Sequence, residues 1–185
     1  MSDFLKYFMS SAGPETALQL SKQLGISKSV AQQIVPQVVP MILGGLKKQK
    51  DTQGGTARVD KILNKHGSAD VLGDIAGLCA TKAVEKKHDP GLGGLLGDSG
   101  IQATKLLAKN FKLDPSVAQK IIPMVAPIVL GALLKKRDAD GVGSKGIASL
   151  LDADGDGSIL DDIGGFLGGA QKSPIGGLLG GLLKK

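Results

Sequence analysis

Apolar residues recur along this chain at helical spacing, and no stretch alternates apolar and polar residues with the two-residue period of a strand. Residues 14–24, PETALQLSKQL, set Leu18, Leu20 and Leu24 as the apolar positions of an amphipathic helix. Pro14 stands in its first turn and Gly25 stops it. Residues 99–111, SGIQATKLLAKNF, predict a second such helix with Ser99 as its cap. Ser27 before KSVAQQIV and Asp114-Pro115 before SVAQKII each mark a further helix start. Pro36 and Pro123 are expected to end those helices or begin new ones, and Pro40 and Pro127 to kink the apolar segments in which they stand. The segment VPMILGGL is apolar on every side and therefore belongs inside a bundle. Residues 50–58 and 136–146, rich in Gly and polar residues, are expected to be linkers.

These elements occur twice. Residues 29–48, SVAQQIVPQVVPMILGGLKK, align without gaps to 116–135, SVAQKIIPMVAPIVLGALLK, at an offset of 87, with 12 of 20 positions identical. At an offset of 88, ILNKHGSADVLGDIAGL (62–78) aligns with LLDADGDGSILDDIGGF (150–166), each a short helix, a loop and another short helix. Each copy closes on a Gly-Leu run, PGLGGLLGD (90–98) and PIGGLLGG (174–181). The prediction is an all-α protein of two tandem, pseudo-symmetric helical units with kinked Pro-x-x-x-Pro core helices. The units are 1–88 and 89–172, followed by a Gly/Leu-rich tail at 173–185.

Composition adds limits. With no Trp, one Tyr and four Phe, the core must be aliphatic. The net charge of +6 permits nucleic acid or anionic lipid as partners, but only Arg58 and Arg137 carry the guanidinium fork that phosphate and base recognition favours. The lone Cys79 can form no intramolecular disulfide, and in LCATKAV it reads as a small core residue rather than a nucleophile. The N-terminal MSDFLKYFMSS lacks a signal peptide's pattern, and the apolar stretch 34–46 is too short to span a bilayer. Cytoplasmic localisation is the expectation.

Three patterns could carry chemistry. In DADGDGSILDD (152–162), Asp152, Asp154 and Asp156 stand at positions 1, 3 and 5 of a calcium loop, with Gly157 at 6 and the Ser158 carbonyl at 7. Alternate carboxylates can converge there on one hard cation. Position 12 is Ile163 instead of Glu, so Asp162 would have to close a shortened loop. The alternative is an acidic loop whose aspartates cap the next helix. The second pattern, LSKQLGISKSVAQQI (20–34), has helix-turn-helix spacing, and a DNA-reading face would hold Lys28, Gln32 and Gln33. The alternative is a tri-helical packing that only buries Leu and Val. The third pattern is the Gly-Leu runs, whose small-residue spacing suits helix packing within or between molecules, or membrane-surface contact. His66 and His88 lie in different segments, and no enzyme constellation stands out.

The Pro-x-x-x-Pro apolar helices, the Gly-Leu runs and DADGDGSILDDI together resemble the YidB-like family of bacterial proteins, most tellingly over 29–48, 116–135 and 150–167. The resemblance implies an all-α, homeodomain-like helical fold. It implies no established activity and transfers no functional residues. The sequence-based expectation is a non-enzymatic interaction or assembly protein with a protein partner or self-association and a calcium loop in its second unit. DNA binding and membrane-surface association are the alternatives.

Overall fold

A computed structural model describes residues 3–53, 55–89, 92 and 94–141. The described residues form seven α-helices and one short 3-10 helix, with no strand among them. The α-helices are α1 (Asp3–Ser11), α2 (Gly13–Leu24), α3 (Lys28–Gln53), α4 (Gly55–His66), α5 (Ile75–Val84), α6 (Asp98–Phe111) and α7 (Pro115–Ala139), and the 3-10 helix is Ala69–Gly73.

The caps lie where the sequence places them. Gly25 ends α2 in the left-handed region at φ 66°. The Ser27 hydroxyl accepts from the Val30 N–H at 3.2 Å. The Asp114 carboxylate accepts from the Ser116 N–H at 2.8 Å with Pro115 opening α7, and the Ser116 hydroxyl, together with that N–H, holds its pKa below the ordinary carboxylate range. Ser99 is not a cap: α6 begins one residue earlier, behind Gly97. Lys112, the repeat equivalent of Gly25, ends α6 at φ 51°, a conformation that costs a residue with a Cβ.

Two expectations are corrected: that Pro36 and Pro123 end or begin helices, and that 50–58 and 136–146 are linkers. Pro36 and Pro40 lie inside the unbroken 26-residue α3, and Pro123 and Pro127 inside the 25-residue α7. Proline's fixed φ is itself helical; its cost is the missing N–H, which leaves the carbonyl four residues earlier without a donor. Burial of the all-apolar stretch offsets that cost: from Ile121 to Leu134, every α7 residue but Pro127 is buried. Of the first expected linker, residues 50–53 belong to α3 and 55–58 to α4, and the second begins inside α7, which runs to Ala139. The N-terminal residues, which the helical pattern left unassigned, form α1. It buries Phe4, Leu5 and Phe8, with the Phe4 and Phe8 rings 6.2 Å apart.

One core joins helices from both halves of the repeat. Helix α7 packs against α6 in its own half and also against α3, α5, α2, α4 and the 3-10 helix. Its last turns are pinned by the Lys136 ammonium, 5.5 Å from the centre of the Tyr7 ring, and by Arg137, whose guanidinium is 3.8 Å from Asp60. By length and composition α3 and α7 could each cross a membrane; here half of the apolar window of α3 and most of that of α7 are buried inside the fold.

Candidate functional site

The segment after α4 forms one wall of a cavity. Ser68 opens the 3-10 helix by accepting from the Asp70 N–H at 3.2 Å. Asp74 opens α5 by accepting from the Gly77 N–H at 2.8 Å. A Cβ at Gly77 would collide with the Asp74 carboxylate, so cap and glycine form one device. The 3-10 helix lies directly on α7: a Cβ at Gly131 would run into the Ser68 carbonyl, and one at Gly67 would come within 2.9 Å of Leu134 Cδ1.

Between this segment, the loop after α5 and the middle of α7 lies a cavity of about 450 Å³. Val71, Leu78, Leu92, Leu95, Pro123, Ala126, Pro127 and Leu130 give it an apolar lining, and Lys65, Lys82, Glu85, Lys87 and Asp89 supply its charges. Lys82 donates to Glu85 at 2.6 Å, so part of that charge is already paired. The Gly-Leu run that supplies Leu92 and Leu95 is itself anchored on α3. Leu96 occupies the space beside Gly45, where a Cβ would overlap it. Buried Gln49 donates to the Gly94 carbonyl at 3.0 Å and accepts from Arg58 Nε at 3.2 Å. Both halves of the repeat therefore build one concave, largely apolar surface, the usual form of a binding site.

The residues suggested for nucleic-acid reading, Lys28, Gln32 and Gln33, are exposed on the first two turns of α3. Gln33 Nε2 reaches Ser29 Oγ at 3.4 Å. The same position in the second copy is used differently: Lys120, the counterpart of Gln33, donates to the Ala83 carbonyl at 3.0 Å and ties down the end of α5. The calcium-loop residues Asp152, Asp154, Asp156, Ser158 and Asp162 lie outside the described residues. Among the described residues no cluster of His, Cys, Asp or Glu could hold a metal ion. Cys79 is fully buried, and burial, with the Glu15 charge adding to it, pushes its thiol up to about 11. It is a protonated core residue at neutral pH.

Sequence patterns did not reveal the cavity, because its walls come from segments far apart in the chain. Two signals pointed toward it: paired prolines on an all-apolar helix, and leucines in a glycine-rich run that had to pack somewhere.

The profile of a bacterial protein family of unknown function, DUF937, matches residues 7–136 and, a second time, residues 132–183. No curated protein and no solved structure matches the chain.

Proposed function

The chain belongs to the DUF937 family of bacterial proteins of unknown function, and from that premise we propose that it is a non-enzymatic interaction and assembly protein whose cavity over Pro123 and Pro127 receives an apolar Gly-Leu segment of a second copy. The observation that carries this reading is the cavity itself: about 450 Å³, lined mainly by aliphatic side chains and edged with lysines and carboxylates. The segment proposed to enter it is PIGGLLGGLL in the tail. Its repeat equivalent, PGLGGLLG, already supplies Leu92 and Leu95 to the cavity wall. Glycines between the leucines allow close backbone approach, so this kind of sequence suits this kind of surface. Head-to-tail docking of that type builds rings or filaments.

Light scattering of the full chain tests this. The mean mass should rise with concentration, and Leu92→Glu, which puts a carboxylate into the cavity wall, should hold the protein at the monomer mass. A monomer at every concentration, or self-association that Leu92→Glu leaves unchanged, contradicts the proposal.

The acidic loop at 152–162 extends this function as a calcium site that stabilises the C-terminal half through Asp152, Asp154 and Asp156. Support for it is the ligand spacing alone. Asp162 matches Asp74 in the repeat, and Gly165 matches Gly77. Since Asp74 caps α5 across that glycine, the chemistry of Asp162 favours a helix cap over a calcium ligand.

A further inference from the structure

We propose that the acidic segment 150–166 folds back onto α3 of its own chain, crossing it at Gly44 and Lys47, as segment 62–78 crosses α7 at Gly131 and Leu134. This surface is distinct from the cavity on α7, and three observations point to its occupant.

The first is the glycine. Gly131 is required because the Ser68 carbonyl lies where its Cβ would be. The repeat equivalent of Gly131 is Gly44, and the equivalent of Ser68 is Asp156. The chain thus carries a second helix with a glycine at the matching position and a second segment of matching sequence. The neighbouring position is not held in the same way: Gly45 corresponds to Ala132.

The second is the difference in cover. On α7, Pro123, Gly131 and Leu134 are buried; their α3 counterparts Pro36, Gly44 and Lys47 are only half-buried. Among the described residues, the 3-10 helix and α5 pack on α7 with no comparable packing on α3. The apolar positions that make the first segment adhere also recur in the second: Ile62, Leu63, Val71, Leu72 and Ile75 become Leu150, Leu151, Ile159, Leu160 and Ile163. The connection is long enough, with 15 residues from Gln53 to Ser68 and 17 from Ala139 to Asp156.

The third is charge. Where the first segment has neutral Asn64 and Ser68, together with His66, the second has Asp152, Asp154 and Asp156. Where α7 has Leu134, α3 has Lys47. The two surfaces change together, three carboxylates appearing on one side and an ammonium on the other, which is what an ion-paired version of an apolar contact requires. Half-buried Lys47 holds Asp51 at 2.9 Å, so this stretch of α3 already engages a carboxylate.

Disulfide trapping in the full chain tests the proposal. Gly67 and Leu134 correspond to Gly155 and Lys47, so Lys47→Cys with Gly155→Cys, in a Cys79→Ala background and in the presence of chelator, should form an intramolecular disulfide under mild oxidation. Gly67→Cys with Leu134→Cys calibrates the yield. A monomeric, reductant-sensitive species of faster mobility, formed at a comparable yield, supports the proposal. A disulfide-linked dimer, or no bond where the calibrating pair closes, overturns it. The unsubstituted protein gives a second readout free of cysteine geometry: carbodiimide should join Lys47 to Asp154 or Asp156 within one chain, and absence of that peptide pair by mass spectrometry counts against the docking.

Discussion

Replacing Gly131 with Ala asks whether the 3-10 segment is truly seated on α7. A Cβ at Gly131 meets the backbone carbonyl of Ser68, and a backbone cannot rotate aside as a side chain can. A Cβ at Gly45 overlaps the Cδ2 end of Leu96, which can turn to another rotamer, and its nearest backbone atom, the Leu95 carbonyl oxygen, is 3.3 Å away. Both glycines lie in helix interiors, so both substitutions gain the same helix propensity, about 1 kcal/mol. That term cancels in the comparison. The remaining difference is the overpacking cost at Gly131, about 1–3 kcal/mol. For a chain of this size each kcal/mol moves the melting temperature by about 2–4 °C, so Gly131→Ala should melt roughly 2–12 °C below Gly45→Ala. Thermal unfolding followed by circular dichroism in the far-ultraviolet helix band measures the gap. Equal melting temperatures, or Gly131→Ala the more stable, would refute the close approach of Ser68 to α7 and the notch from which the docking of segment 150–166 on α3 is inferred.

Lys112→Gly removes a Cβ from a left-handed residue at φ 51° and should stabilise the protein by about 1 kcal/mol in a urea melt, whereas Gly25→Ala at φ 66° should destabilise it by a similar amount. Asp74→Ala strips the cap from α5 and should cost about 1 kcal/mol in the same assay. Cys79 should resist thiol reagents in the native protein and react fully in denaturant. Its folded pKa, raised from 9.0 to about 11, means that the unfolded chain ionises first. The contribution to stability is therefore whole below about pH 9 and is lost as the pH rises toward 11. At about 1.4 kcal/mol for each pH unit between the two values, the loss is roughly 2–3 kcal/mol in all. Compared with Cys79→Ala across that window, the unsubstituted protein should lose that much more.

Local chemistry was readable from the chain, and tertiary placement was not. Gly25, Ser27, Asp114 and Pro115 act within a few residues of themselves, so their roles follow from neighbours in sequence. Pro123 misled as a helix boundary because its cost is local while the burial that overrides it is spread along the whole of α7. Helix α1 escaped notice because its short apolar face, Phe4, Leu5 and Phe8, gains its meaning only from the bundle it covers. The internal repeat predicted two matching halves. It could not show that the 3-10 helix and α5 of the first half pack on α7 of the second, since sequence similarity is silent on which copy an element joins. The cavity arises from that crossing. Leu92 comes from one run and Pro127 from another, and only the fold brings them together.

Titrating a synthetic peptide of residues 173–185 into isotope-labelled full-length protein asks whether the cavity over Pro123 and Pro127 receives a Gly-Leu segment. Amide and methyl shifts are then followed by NMR. Saturable shifts are expected, concentrated at Val71, Leu78, Leu92, Leu95, Ala126 and Leu130 and lost in Leu92→Glu. Shifts confined to the exposed turn around Lys28, Gln32 and Gln33, or no shifts at any peptide concentration, would contradict that docking.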